Sequence, residues 1–120
     1  MGTGILRAGL AMLAGPILWA MHFALVYAGH AALCAAGDRL PFVGQATLPW
    51  LLAVATAAAI AGLAALAASP RLAGILVGPA SPSEAAFLAR IIRLLAALSL
   101  FAVAAAAIAM AIVPACDSLR

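Results

Sequence analysis

A chain of 120 residues that is 69% hydrophobic and 8% charged, with a mean hydropathy of +1.28, is too apolar for a soluble domain, in which about a quarter of residues are charged. Small folds leave a large share of their surface exposed, so this much hydrocarbon points to an all-α integral membrane protein, one bundle of a few helices with no separate soluble domain. Six arginines outnumber three acids and there is no lysine; scattered and not interleaved with aromatics, they argue against nucleic acid and for setting topology among anionic lipid headgroups.

Three runs can span a hydrocarbon core, which needs about 20 apolar residues. They lie at about 14–36, 46–68 and 92–113 and make residues 1–120 a single transmembrane domain, a three-helix bundle. Gly15-Pro16 marks the start of the first helix, because proline is tolerated in a first turn. Residues 3–13 either extend that helix or lie in the membrane interface. The connector 37–45, with Asp38, Arg39 and Pro41, is short, so spans one and two are antiparallel neighbours. Spans two and three, rich in alanine, offer the small side chains that let membrane helices approach closely.

The second connector, 69–93, is longer. Within it Ser81-Pro82-Ser83-Glu84 reads as a helix start: a serine cap, proline at the first helical position and a glutamate able to bond back to the cap amide. A third helix beginning at Pro82 and ending near Val113 is roughly 48 Å long at 1.5 Å per residue. That exceeds a hydrocarbon thickness of about 30 Å. Its first turns, with Arg90 and Arg93, therefore stand in headgroups or water.

Arginine placement sets the orientation. Arg7, Arg71, Arg90 and Arg93 fall on one side, against Arg39 and Arg120, each beside an acid (Asp38, Asp117), on the other. The excess places the N-terminus inside and the C-terminus outside, with Arg71, Arg90 and Arg93 meeting headgroups. Trp50 then sits at the outer interface and Trp19 about one turn inside the inner one. Arg7 before an apolar run imitates a signal peptide, but the run is too long, so we expect it to be retained.

The side chains with chemistry gather in the first span, "WAMHFALVYAGHAALC". At 100° per residue Trp19, His22, Phe23, Tyr27, His30 and Cys34 share one face about 140° wide. That face should meet protein, because ionisable groups inside a membrane need partners. Within the chain, His22 could bond a carbonyl or a hydroxyl, and Thr56 and Ser99 are the only mid-span hydroxyls on the other helices. The competing use of His22 and His30 is ligation of haem or a pigment. A haem clamped between helices usually takes histidines from two of them, whereas these two lie on one helix, roughly 12 Å apart; we expect no cofactor in this chain.

Cys34 and Cys116 both fall on the outer side and are placed to form a disulfide joining the first and last helices. The alternative adds His30, one turn before Cys34, to make a His30/Cys34/Cys116 site of the kind that suits Cu(I) or Zn. No carboxylate pair, nucleophile–histidine ordering or phosphate loop is present, so no enzyme is expected; no span carries an acid or a lysine, which argues against an independent ion-coupled transporter and leaves a small channel or carrier, without a charged pore lining, as a further alternative.

The segment Gly15–Cys34, through Gly15, Pro16, Trp19, His22, Phe23, Tyr27 and Cys34, resembles the first helix of small membrane proteins found with bacterial haem–copper respiratory oxidases. The likeness covers about a sixth of the chain. It implies a non-catalytic accessory subunit in the bacterial inner membrane, with haem and copper held by larger partner subunits and the Trp19/His22/Phe23/Tyr27/His30 face docking onto them. The alternative it leaves open is an oxidase-assembly factor handling copper at Cys34, Cys116 and His30.

Overall fold

Two prolines and two serines decide where this chain stops and restarts its helices. The computed structural model describes residues 2–36 and 47–112, and every regular element among them is helical: α1 (Gly2–Met12), α2 (Ala14–Ala36), α3 (Thr47–Ala68), α4 (Pro70–Val77) and α5 (Pro82–Ile112). The connector with Asp38, Arg39 and Pro41, and the tail with Cys116, Asp117 and Arg120, lie outside the described residues.

Residues 3–13, expected to extend the first span or lie in the membrane interface, form the separate helix α1, bent by 55° from α2. Pro16 supplies the cause. A proline cannot donate to the carbonyl four residues back, and its ring crowds that carbonyl; four residues before Pro16 is Met12, the last residue of α1. The bonds on either side persist, from the Leu13 amide to the Gly9 carbonyl and from the Ile17 amide to the Leu13 carbonyl. The chain therefore bends without unwinding.

Pro70 ends α3 in the same way and opens α4, where Ser69 Oγ accepts from the Leu72 amide at 3.3 Å. This short helix lies inside what reads in the sequence as connector. It stops at Gly78, whose φ of 74° and ψ of −156° are open essentially to glycine alone. The start of α5 is the box foreseen at Ser81: the Ser81 amide donates to Glu84 Oε2 at 3.2 Å, and the Glu84 amide donates back to Ser81 Oγ at 3.4 Å.

α3 and α5 are each long and apolar enough to cross a membrane, and the bent α1–α2 pair is a third candidate if counted as one span. Leu18 lies against Gly62, His22 against Thr56 and Gly29 against Leu52, so α2 and α3 are antiparallel. Arg93 reaches Ala67, and Ala59, Leu63, Ala96 and Val103 form one cluster, which sets α5 antiparallel to α3 and parallel to α2. On α5 the buried positions Ile92, Ala96, Ser99 and Val103 recur at steps of four and three, the seam of helices packed along their length. At Gly15 a Cβ would sit 2.9 Å from the Ala96 Cα: the backbones of α2 and α5 touch there.

A second cluster, Ala11, Ala73, Val77 and Ile92, joins α1 and α4 to the first part of α5. The described helices thus fall into two storeys: α2, α3 and α5 packed along one another, and the short α1 and α4 against the end where α5 begins. The chain's longest dimension is 58 Å, more than a bilayer with its headgroups, about 40–45 Å.

Candidate functional site

The polar-aromatic face of α2 does not behave as one unit; exposure grades across it. At one edge His22 is 6% exposed, while Trp19 at 37%, Phe23 at 50% and Tyr27 at 71% turn progressively outward. The three outward rings form a ladder along the helix, centroids 6.1 Å apart for Trp19–Phe23 and 6.2 Å for Phe23–Tyr27, the latter pair stacked. Spacing of four residues puts each ring one turn above the last. No described element covers Tyr27.

His22 points the other way, into the α2–α3 seam. Its Nε2 lies 2.9 Å from Thr56 Oγ1, and the Thr56 hydroxyl donates to the Leu52 carbonyl at 2.8 Å. With the hydroxyl proton committed to Leu52, Thr56 can only accept from the imidazole. His22 therefore carries its proton on Nε2, and its Nδ1 is a bare lone pair, buried and with no partner. An unsatisfied buried acceptor costs about 1–3 kcal/mol. Ser99, the other mid-span hydroxyl, is buried in the α5 seam.

His30 is half-buried and takes the opposite tautomer: its Nδ1 donates to the Val26 carbonyl one turn back, at 3.2 Å, which leaves the lone pair on Nε2. Cys34, half-buried, follows one turn later near the end of α2. Among the described residues no three His, Cys, Asp or Glu side chains gather into a metal-binding group; Cys116, the third member of the copper or zinc set, lies outside them. His22 and His30 lie on one helix with no histidine opposite, so nothing among the described residues completes a two-histidine clamp for haem.

The arginines do more than mark a side. Arg93 Nε donates to the Ala67 carbonyl at 2.8 Å, in the last turn of α3. Arg7 Nη2 reaches the Ile75 carbonyl at 3.4 Å, in the last turn of α4, and its guanidinium lies so close to Gly78 that a Cβ there would meet Arg7 Cζ at 2.8 Å. Both cations thus sit where unpaired carbonyls give a helix its negative end. Sequence reading missed these roles because α4 was not foreseen and because a helix end says nothing about which distant arginine reaches it. Arg71 and Arg90 are exposed at the same end, and Glu84 is the one acid among the described residues. Hydrogen bonds from the Ser81 hydroxyl, at 2.6 Å, and the Ser81 amide hold the Glu84 carboxyl below its ordinary value, with desolvation a lesser opposing effect.

These features define a class: an all-helical chain with two helices, or three with the bent pair, able to cross a membrane, one outward aromatic ladder and one buried imidazole held by its neighbour helix. Compared with known proteins, the chain matches no family model, no curated protein and no solved structure.

Proposed function

We propose that this chain is a non-catalytic accessory subunit of a bacterial respiratory membrane complex, a haem–copper terminal oxidase before any other, and that it docks through α2. The observation that supports docking is the Trp19/Phe23/Tyr27 ladder, turned away from the chain's own bundle. Aromatic side chains are enriched at protein interfaces and dominate their energetics. Phe23 and Tyr27, continuing the ladder from Trp19 toward the middle of α2, are placed for a protein neighbour better than for the interface belts where lone indoles gather. The oxidase as the partner rests on the resemblance carried by Gly15, Pro16, Trp19, His22, Phe23, Tyr27 and Cys34. Haem and copper belong to the larger subunits.

In this reading the three spans cross the bacterial inner membrane with the N-terminus inside. The end that carries Arg7, Arg71, Arg90 and Arg93 faces the cytoplasm, where positive charge accumulates. Arg71 and Arg90 meet anionic headgroups fully, and Arg93 does so with the part of its guanidinium not spent on Ala67. Cys34 and Cys116 form a disulfide at the opposite, outer end.

The test is purification of the tagged chain from native membranes in a mild detergent. Haem-bearing subunits, seen by their visible absorbance, should elute with it. The double substitution Phe23→Ala and Tyr27→Ala should cut their recovery by about tenfold or more, the loss of two modest interface residues. A chain that elutes alone as a stable monomer overturns the subunit reading.

A further inference from the structure

Beside the His22–Thr56 contact, an open groove of about 600 Å³ runs along the outer side of α2 and α3. Leu18, Met21 and Leu25 form one wall, Ala55 and Ala59 the floor of the other, and His22 lines it between them. The volume is in the range of small-molecule sites, about 300–1,000 Å³, which are typically apolar with a few fixed polar groups. Here the described polar group is the imidazole, more than nine-tenths buried; its Nδ1 is unpartnered and closed off from the groove by its neighbours, so a ligand reaches it by parting them.

What would satisfy that atom follows from the tautomer. Thr56 spends its proton on the Leu52 carbonyl and accepts the proton of Nε2, so Nδ1 can only accept. A carbonyl, ester or ether oxygen has no proton to offer it. A charged ammonium could donate, but His22 stands eight residues, roughly 12 Å, into α2, where a bare charge among hydrocarbon is expensive. A neutral hydroxyl on a hydrocarbon body meets both conditions: the oxygen donates to Nδ1 while the tail lies along Leu18, Met21 and Leu25.

We infer that the α2–α3 groove binds a membrane-soluble molecule whose polar end offers a hydroxyl donor, a lipid alcohol or a phenol, received at His22 Nδ1. Thr56 is the positioning residue, which keeps that nitrogen deprotonated; Leu52 in turn orients Thr56. The site selects the hydroxyl form of a molecule over its oxidised or esterified counterpart, because in the latter two lone pairs would face each other.

The experiment uses the whole chain with ¹⁵N-histidine in lipid nanodiscs, titrated with two matched pairs. One pair is dioctanoylglycerol against trioctanoylglycerol; the other is decylubiquinol against decylubiquinone. The hydroxyl member should move the His22 Nδ1 resonance toward the hydrogen-bonded range and bind about tenfold more tightly than its partner, the value of one hydrogen bond. A response to the glycerolipid alone assigns the site to a lipid alcohol, and a response to the quinol alone assigns it to a phenol; both support the proposal. Thr56→Val releases the tautomer and should reduce the preference within each pair to less than about threefold, while His22→Phe should abolish it. Equal binding of both members overturns the proposal. So does an Nδ1 resonance already in the hydrogen-bonded range without any probe and unmoved by all four, which would assign the partner to water. The wild-type titrations decide the matter even if a variant fails to fold, and they do not depend on which protein lies against the aromatic ladder.

Discussion

Glu84 is stabilised as a carboxylate by the residue three positions before it. The Ser81 hydroxyl and amide both donate to Oε2, and protonation would weaken both bonds. Its folded-state value is therefore depressed from 4.5. A depressed carboxylate contributes stability that is complete above the unfolded value and fades as the pH falls through the folded one. The first turn of α5 should hence be firm at neutral pH and fray only below pH 4.5. A ¹³C titration of the Glu84 carboxyl should find its midpoint below that value, and Ser81→Ala should raise the midpoint toward it, the amide bond remaining. An unchanged midpoint in Ser81→Ala would show that the cap does not hold the charge. The box was legible in the sequence because all its parts lie within four residues. His22 is the contrasting case: its candidate partners could be named, but the choice of Thr56 over Ser99 depends on which helix the imidazole edge of α2 faces. A wheel drawn for one helix gives angles within that helix only, so the face that looks uniform in the sequence divides into a buried His22 edge and an exposed Tyr27 edge.

At the scale of elements, the long apolar runs were readable from length alone, and their packing partners partly from composition. Small residues do carry the seams, with Ala59, Ala96 and Gly15 at the close approaches. Two features escaped a reading tuned to spans of about 20 residues. The helix α4 is eight residues long, too short to register as a span, though its Ser69-Pro70 start repeats the Ser81-Pro82 signal; it lacks the glutamate that made the second one plain. The bend came from reading Pro16 as a beginning, when its larger effect is on Met12 behind it. Gly15 lies at this bend and bears the tightest of the glycine contacts between α2, α3 and α5. An added methyl would press on the Ala96 backbone at 2.9 Å, which cannot rotate aside as a side chain would. Gly15→Ala should therefore separate α2 from α5 and destabilise the bundle by about 1–3 kcal/mol, the usual cost of overpacking. Gly29→Ala meets only the flexible end of Leu52 and should cost less. Thermal unfolding in one detergent orders the two variants, and Gly29→Ala proving the worse would contradict the close-contact account.

For the whole molecule the two storeys and the direction of the helices decide what each end meets. Arg7, Arg71, Arg90 and Arg93 stand with the cap of α1, α4 and the first part of α5; the other end of the bundle holds Trp50 and Cys34. Cys34 stands at the end proposed to face outward, on the side where a periplasm would oxidise a cysteine pair. A bridge from Cys34 to Cys116 would close most of the chain into one loop and, by the loop-entropy argument, stabilise the folded state by about 4–5 kcal/mol. It would also tie the helix that carries the aromatic ladder to the last span, fixing the angle at which that ladder meets a partner. Alkylation of the mature protein without reductant, read by mass spectrometry, should leave both cysteines unlabelled, and reductant should expose two. Reduction should lower the unfolding temperature while leaving the Glu84 titration at the far end unchanged. Two labelled thiols in the unreduced protein would remove the bridge and return His30, Cys34 and Cys116 to consideration as a thiolate metal site.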